Sequence, residues 1–290
     1  MTHVLRYHLF FCLILASISF SQSSTAETNE AITPATFQTT SPPVWQYQLL
    51  RTIPREKHHF TEGLVFAGNY LFESTGQYGK SQLHRYDAKK LTLSQHINLH
   101  ADFFAEGLTV IQNQLYQLSW KEGDVFVYNL NLQRINTLKI NSEGWGLTTD
   151  GESLIISNGS STLSFRDRNT AQESRRITVH DSSRKQWKDI NELEWINGVI
   201  LANVWHQDTV LIINPDTGYI IGQYNFEALS QITSKAMPSR NGEQVLNGMA
   251  WNSATQTLLL TGKDWPFWFE VSLLPVPSAH VTSSLIPEGF

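Results

Sequence analysis

Two phrases set an acid in the same local surroundings. Phe60-Thr61-Glu62-Gly63-Leu64 and Phe104-Ala105-Glu106-Gly107-Leu108 each place a glutamate two residues after a phenylalanine and directly before a glycine. Burial among aromatic rings disfavours the charged form of a carboxyl group and raises its pKa towards neutrality. A carboxyl group tuned in this way can take and return a proton at physiological pH, which is general acid–base chemistry. Left unpaired in apolar surroundings it is costly, so it needs a partner or a task. A third copy reads Glu143-Gly144-Trp145-Gly146-Leu147. Two looser copies read Ile190-Asn191-Glu192-Leu193-Glu194-Trp195 and Leu246-Asn247-Gly248-Met249-Ala250-Trp251.

The spacing says what positions these residues. With Gly63, Gly107, Gly146, Glu192 and Gly248 taken as equivalent, the steps are 44, 39, 46 and 56 residues. A period in the forties with strand-like text between predicts an all-β fold, a five-bladed β-propeller. Equivalent positions then stand in a ring about one axis. The residues just before the anchors, Glu62, Glu106, Trp145, Asn191 and Asn247, make a first ring. A second ring lies 13 residues after the anchors, at Gly76, Trp120, Gly159 and Trp205. In the fifth copy the turn is longer by two, and Lys263 takes the matching place. Up one strand and down the next returns the chain to the same face, so both rings border one pocket, with Phe60 and Phe104 beside the glutamates.

Each copy reads as four strands. In the second copy, residues 114–119, 125–130 and 134–140 carry strand-like apolar patterns separated by turn residues such as Glu122-Gly123-Asp124. The fifth copy ends at residues 268–273 without a fourth strand, while residues 47–53 form a strand without a blade. The N-terminal strand therefore completes the last blade and closes the ring, pairing edges that would otherwise stay open. Residues 180–188 and 226–244 interrupt the repeat and lead into inner strands, which puts both on the face where those strands begin. Loops of that length in a compact domain are usually functional or mobile.

Residues 1–26 read as a signal peptide, with Arg6 ahead of an apolar run at 9–18 and Ser24-Thr25-Ala26 as small residues for cleavage. The run is too short to span a bilayer, so a periplasmic or secreted protein is expected. Residues 27–44 read as a flexible spacer, 45–275 as the propeller and 276–290 as a C-terminal tail. The single cysteine, Cys12, lies inside the apolar run, which leaves no disulfide or thiolate ligand for the mature chain. The net charge of -5, from 21 Lys and Arg against 26 Asp and Glu, carries no basic stripe, and no nucleic-acid partner is expected. No later apolar run reaches membrane length, and a monomer is expected. The 10 histidines form no HxH or HExxH pattern, so no metal is assigned. No GxSxG elbow, P-loop or dinucleotide glycine set is present, so no cofactor is assigned either.

Several phrases in order resemble the plant and bacterial type of glutaminyl-peptide cyclotransferase, the glutamine cyclotransferase family. They are Phe60-Thr61-Glu62-Gly63-Leu64-Val65, Leu71-Phe72-Glu73-Ser74-Thr75-Gly76, Phe104-Ala105-Glu106-Gly107-Leu108 and Trp120-Lys121-Glu122-Gly123. Further along come Glu143-Gly144-Trp145-Gly146-Leu147, Asn191-Glu192-Leu193-Glu194-Trp195, Asn203-Val204-Trp205-His206 and Leu260-Thr261-Gly262-Lys263-Asp264-Trp265. The resemblance runs from about Trp45 to Leu274. It implies a five-bladed propeller enzyme that converts an N-terminal glutamine of peptides or proteins to pyroglutamate, with release of ammonia and without metal. It carries the catalytic role onto Glu106, and the substrate pocket onto Phe60, Glu62, Phe104, Trp120, Trp145, Asn191, Trp205 and Lys263. Two positions depart from the family's pattern: Glu62 stands where glutamine is common, and Ala105 where glycine is usual.

The implied reaction is an intramolecular aminolysis in which the α-amine attacks the δ-carbonyl of its own residue. Glu106 carries a proton from the amine to the leaving nitrogen, and Asn191 and Lys263 are candidates to bind the developing oxyanion. The residues themselves leave other readings open. A pocket of tryptophans, asparagines and carboxylates also suits a periplasmic propeller that binds a small polar or sugar-like ligand without turnover. Glycoside cleavage by Glu62 and Glu106 requires a particular separation of the two carboxyl groups.

Overall fold

Short apolar stretches alternating with Gly, Asn and Asp turns fold as antiparallel hairpins in sequence. The computed structural model describes residues 41–55, 59–237 and 242–279. Twenty strands form five four-stranded antiparallel sheets. The innermost strands are Thr61–Ala67, Ala105–Ile111, Leu147–Thr149, Ile190–Ile196 and Leu246–Asn252. Each touches the next around the ring, and the fifth touches the first. The result is the five-bladed propeller that the repeat predicts.

Strand Gln46–Pro54 pairs antiparallel with Phe267–Leu274, setting Tyr47 opposite Leu273 and Ile53 opposite Trp268. It is the outer strand of the fifth blade, so the last blade takes strands from both ends of the chain. Packing continues beyond residues 45–275 on both sides. The Gln223 amide N–H donates to the Pro43 carbonyl at 2.9 Å, and Val44 bridges to the same residue on the outer strand of the fourth blade. Val276 packs on the core between the fourth and fifth blades, and Ala279 N–H donates to Asn197 O at 3.0 Å. Residues 1–40, which hold the signal segment and most of the spacer, lie outside the described residues, as do residues 280–290.

The two insertions differ. Residues 227–236 of the second form a helix, Glu227–Ala236, which buries Leu229 and Thr233. Apolar spacing over so short a stretch gave no separate helical signal. The first insertion folds on itself: Asp181 accepts the Ser183 and Lys185 amides at 2.9 and 3.1 Å and the Trp187 indole at 3.2 Å. Trp187 packs on the core of the third and fourth blades rather than on the axial pocket.

The seam is locked by a buried charge. Arg55 follows the closing strand and is 8% exposed. Its guanidinium donates to Glu73 Oε1 of the first blade at 2.7 Å and to Thr261 Oγ1 of the fifth at 3.0 Å, and lies 4.0 Å from the Trp268 ring centre. Glu73 also accepts from the Thr61 and Tyr86 hydroxyls at 2.6 and 2.7 Å. Burial opposes its charge, and Arg55 with His59 and His84 overcomes that, holding Glu73 well below the usual carboxylate range. Removing one partner of such a pair leaves the other charge buried alone, at a cost of roughly 3–5 kcal/mol. Arg55→Met is therefore expected to lower the urea midpoint sharply, and Glu73→Gln added to it should recover part of the loss. Equal stability of Arg55→Met and the parent would show that the pair does not hold the seam.

Candidate active site

Four of the five ring residues are aimed by a defect in their strand, and Trp145 precedes its short inner strand Leu147–Thr149. The pairing register slips between Thr61 and Gly63, between Ala105 and Leu108, between Ile190 and Leu193, and between Leu246 and Met249. A bulge of this kind re-aims a side chain and ends regular pairing. The residues at the slips are Glu62, Glu106, Asn191 and Asn247. The glycine that follows allows the inner strands to close up: a Cβ on Gly63 would lie 2.6 Å from Leu108 N, and one on Gly107 2.4 Å from Leu147 N.

Phe60, Glu62, Phe104, Glu106, Trp120, Trp145, Asn191, Trp205 and Lys263 line one cavity of about 300 Å³, together with Glu243. All nine residues singled out in the sequence are therefore neighbours. The alternation of Gly and Trp in the second ring has a steric cause. A Cβ on Gly76 would sit 2.3 Å from the Phe104 ring, and one on Gly159 2.7 Å from the Trp145 ring. Glycine stands where an aromatic ring fills the space, Phe104 of the next blade at Gly76 and Trp145 of the same blade at Gly159.

The cavity floor is polar and buried. Glu62 is 1% and Glu106 7% exposed. Lys263 Nζ lies 2.9 Å from Glu62 Oε1 and 4.7 Å from the Phe60 ring centre. Asn247 Nδ2 donates to Glu62 Oε2 at 2.8 Å, and Asn191 Nδ2 donates to Asn247 Oδ1 at 3.1 Å. The Glu62 and Glu106 carboxyl groups are near enough for the protonation of each to depend on the other. Burial raises Glu62 to about 7, against the lowering effects of Lys263 and Asn247. Burial, and then the Glu62 charge, raise Glu106 well above the usual range. Burial works against the Lys263 ammonium, but Glu62 and Glu106 outweigh it and its pKa is raised. The two acids therefore titrate as a pair, and both are shifted towards holding a proton.

Two contributors, Glu243 and Glu143, were not singled out in the sequence, and Asn247 was placed in the ring without its role. Asn247 belongs to the first ring, yet its work is to hold Glu62 and Asn191 from beneath the cavity. Glu243 reaches the cavity from the end of the second insertion, where no repeat marks it. Glu143 Oε2 accepts the indole N–H groups of Trp120 and Trp145 at 3.1 and 3.2 Å. The Trp205 Nε1–H is buried and has no hydrogen-bond partner among the described residues.

Among the described residues, His59, Glu73 and His84 bring potential ligand atoms within 4.8 Å of one another, away from the cavity. Sequence patterns do not show this convergence, because the three residues come from a loop and two strands. The set suits a structural network better than an ion. The two imidazoles stack at 4.3 Å with planes 22° apart, so their in-plane lone pairs do not converge, and Glu73 is already engaged by Arg55, Thr61 and Tyr86.

The profile of the glutamine cyclotransferase family matches residues 14–273. The chain belongs to this family. It is similar to the glutaminyl-peptide cyclotransferase of Arabidopsis thaliana, 36% identical over 231 residues, covering 79% of this chain and 71% of the relative. The crystal structure of Myxococcus xanthus glutaminyl cyclase superposes with a TM-score of 0.74 at 35% identity, covering 80% of this chain and 98% of that one.

The cyclotransferase-family core holds two further buried acids beneath the cavity. Glu192 takes the place that Gly63, Gly107, Gly146 and Gly248 hold in the other copies, and is 1% exposed. Its oxygens have no hydrogen bond of good geometry; the Met249 and Leu64 amides are the donors that face it. Burial, then the Glu194 charge, raise its pKa well above the usual range. Glu194 accepts the Trp251 amide at 2.7 Å, and burial raises it from an ordinary 4.5 to about 8. A folded pKa raised above the unfolded one means that the unfolded chain loses the proton first as pH rises. Stability from this group is full below about pH 4.5, falls up to about pH 8 and is flat above. Glu194→Gln should remove about 1.4 kcal/mol per pH unit from the downward slope across that window, read from urea midpoints between pH 5 and pH 8. An unchanged slope would show that Glu194 is ionised in the folded protein.

Proposed function

We propose that this chain cyclises the N-terminal glutamine of peptides and proteins to pyroglutamate and releases ammonia, with Glu106 as the proton carrier. The observation that carries this reading is the pair of buried acids, Glu106 and Glu62, lining one aromatic cavity of about 300 Å³. Family membership and the names of the relatives support it. The cavity suits a single side chain folded back on its own amine, and its walls exclude water.

An α-ammonium has a pKa of about 7.7–8.0 and must lose a proton before it can attack. An ordinary carboxylate is too weak a base to take that proton efficiently. Burial and the Glu62 charge bring Glu106 up to the task. A bound ammonium facing ionised Glu106, and a bound amine facing protonated Glu106, are the same state of charge, and the raised pKa moves the proton to the carboxylate. The neutral amine nitrogen attacks the δ-carbonyl carbon and forms the ring C–N bond. Glu106 gives its proton to the departing nitrogen, the C–N bond of the side-chain amide breaks, and ammonia leaves. The ring nitrogen returns a proton to Glu106, and loss of that proton to the departing ammonia, which leaves as ammonium, restores the carboxylate. Lys263, Asn191 and the unpartnered Trp205 Nε1–H are the donors available to the carbonyl oxygen as it gains charge. No metal enters this scheme.

The test is a coupled ammonia-release assay on a Gln-peptide, run with and without a zinc chelator. Equal rates in both arms are expected, and a chelator-sensitive rate would remove the metal-free scheme. Glu106→Gln keeps the shape of the side chain but cannot carry the proton, and should lower kcat by roughly 10²-fold or more. Glu62→Gln removes a like charge from beside Glu106 and frees Lys263. Its acid limb of kcat/KM should move to lower pH with only a modest change in kcat. A dead Glu62→Gln beside a mild Glu106→Gln would reverse the two roles.

We also propose that the chain is exported, on the strength of Arg6 and the apolar run at residues 9–18. N-terminal sequencing of the protein from the periplasm or medium should begin near residue 27, and an intact residue 1 in the cytoplasmic fraction would refute export.

A further inference from the structure

The aromatic lining of the cavity is a chain of edge-to-face contacts. Phe60 meets Phe104 at 6.2 Å, Phe104 meets Trp120 at 5.5 Å, and Trp145 meets Trp205 at 5.5 Å between ring centres. Between Trp120 and Trp145 the link is different in kind. A single oxygen, Glu143 Oε2, accepts from Trp120 Nε1 at 3.1 Å and from Trp145 Nε1 at 3.2 Å. Trp120 ends the second strand of the second blade, and Trp145 leads into the inner strand of the third. The shared oxygen therefore ties two blades at the cavity wall. The backbone holds it in place, with Gly144 N–H donating to Trp120 O at 2.9 Å. Lys121 Nζ lies 3.9 Å from the Trp120 ring centre, a second support for that indole.

The arrangement also sorts the indole donors. With the Trp120 and Trp145 N–H groups engaged by Glu143, these two rings have no N–H left to divert a polar substrate group. The Trp205 N–H has no such acceptor among the described residues. A folded glutamine side chain thus meets two apolar ring faces on one side and a donor on another, which favours one orientation of its carbonyl. Hydrogen bonds to an ionised acceptor are shorter and stronger than neutral ones, which suits a carboxylate to hold two rings at once.

We propose that Glu143 is a positioning residue: its one carboxylate oxygen fixes Trp120 and Trp145 as a single wall that holds the glutamine side chain folded for attack by its own amine. The proposal rests on the cyclisation reading above and assigns Glu143 no contact with the reacting atoms. The Glu143 charge also contributes to the high pKa of Glu106, after burial and the charge of Glu62, so the wall and the base are linked.

The test uses the full mature chain with Glu143→Ala and Glu143→Gln, and two readouts. The first is kinetic. A displacement of about 1 Å in a positioning group can cost on the order of 10²-fold in rate. Glu143→Ala should lower kcat by roughly 10- to 100-fold with a smaller change in KM. Glu143→Gln keeps an oxygen acceptor at the same reach and should recover most of that loss. In both variants the acid limb of kcat/KM should move to lower pH, because a negative charge near Glu106 is gone. The second readout is the pair of indole N–H resonances of Trp120 and Trp145, assigned with Trp120→Phe and Trp145→Phe. Both should shift together in Glu143→Ala and stay near their parent positions in Glu143→Gln. Full activity of Glu143→Ala, or indole resonances that do not move, would overturn the proposal. So would Glu143→Gln as impaired as Glu143→Ala, which would make the role one of charge alone. The resonances report on the wall whether or not the protein turns over. A parent chain that releases no ammonia from Gln-peptides would refute the cyclisation reading, while the resonances would still decide whether the clamp exists.

Discussion

At three of the five places where neighbouring inner strands touch, a side chain would meet backbone. A Cβ on Gly146 would lie 2.0 Å from Asn191 O, and the same crowding meets Gly63 and Gly107. Close approach of the inner strands to one axis selects glycine at Gly63, Gly107 and Gly146, while the fourth blade carries Glu192 at the matching place. The strand cannot continue its regular pleat through that point, so it bulges, and the residue before the anchor is thrown towards the axis. The site is thus a by-product of how the ring closes. Four of the five residues that precede the anchors line the cavity, and the fifth, Asn247, holds two of them. The chain uses those positions for two acids, an indole and two amides.

Burying acids at the axis creates a problem of charge. Glu62, Glu106, Glu192 and Glu194 are all buried, and Lys263 is the basic residue that lines the cavity among the described residues. One ammonium can balance one carboxylate. The others lower their cost by keeping a proton, which is why burial raises all four. The opposite solution appears at the blade seam, where Arg55, Thr61 and Tyr86 surround Glu73 and keep it ionised. The same residue type is thus shifted towards its neutral form at the axis and towards its charged form at the seam, and the difference lies in the donors supplied. Catalysis by proton transfer needs the first kind and structural locking needs the second.

Much of this was legible in the sequence because a repeat converts spacing into geometry. Matching Gly63, Gly107, Gly146 and Gly248 places Glu62, Glu106, Trp145, Asn191 and Asn247 in a ring without any knowledge of contacts. The edge strand at Gln46–Pro54 was legible by arithmetic, as a strand too many at one end and too few at the other. What failed to show were effects that depend on side-chain reach across blades. Glu143 stands inside a repeated phrase, two residues ahead of the ring position, and reads there as an exposed acid. Its value comes from two indoles on different blades meeting at one oxygen. His59, Glu73 and His84 converge for the same reason, through strand pairing that sets Glu73 opposite His84. Glu243 lies in an insertion, where no period constrains its place.

The carboxylate at position 62 acquires a reason from these contacts. An amide there could still accept from Lys263, but it would not neutralise it. The Lys263 ammonium would then turn its attraction on Glu106, the next carboxyl group in reach, and a nearby positive charge lowers the pKa of an acid. Glu106 would become a weaker base, less able to take the proton of an α-ammonium. With Glu62 at 2.9 Å from the ammonium, Lys263 is occupied, and the negative charge of Glu62 adds to burial in raising Glu106. Asn247 fixes the second Glu62 oxygen, so the pair cannot reorganise to share Lys263. Under the proposed scheme, a carboxylate at this position would move the working range of the site upward in pH and give Glu106 more driving force as a base than an amide would.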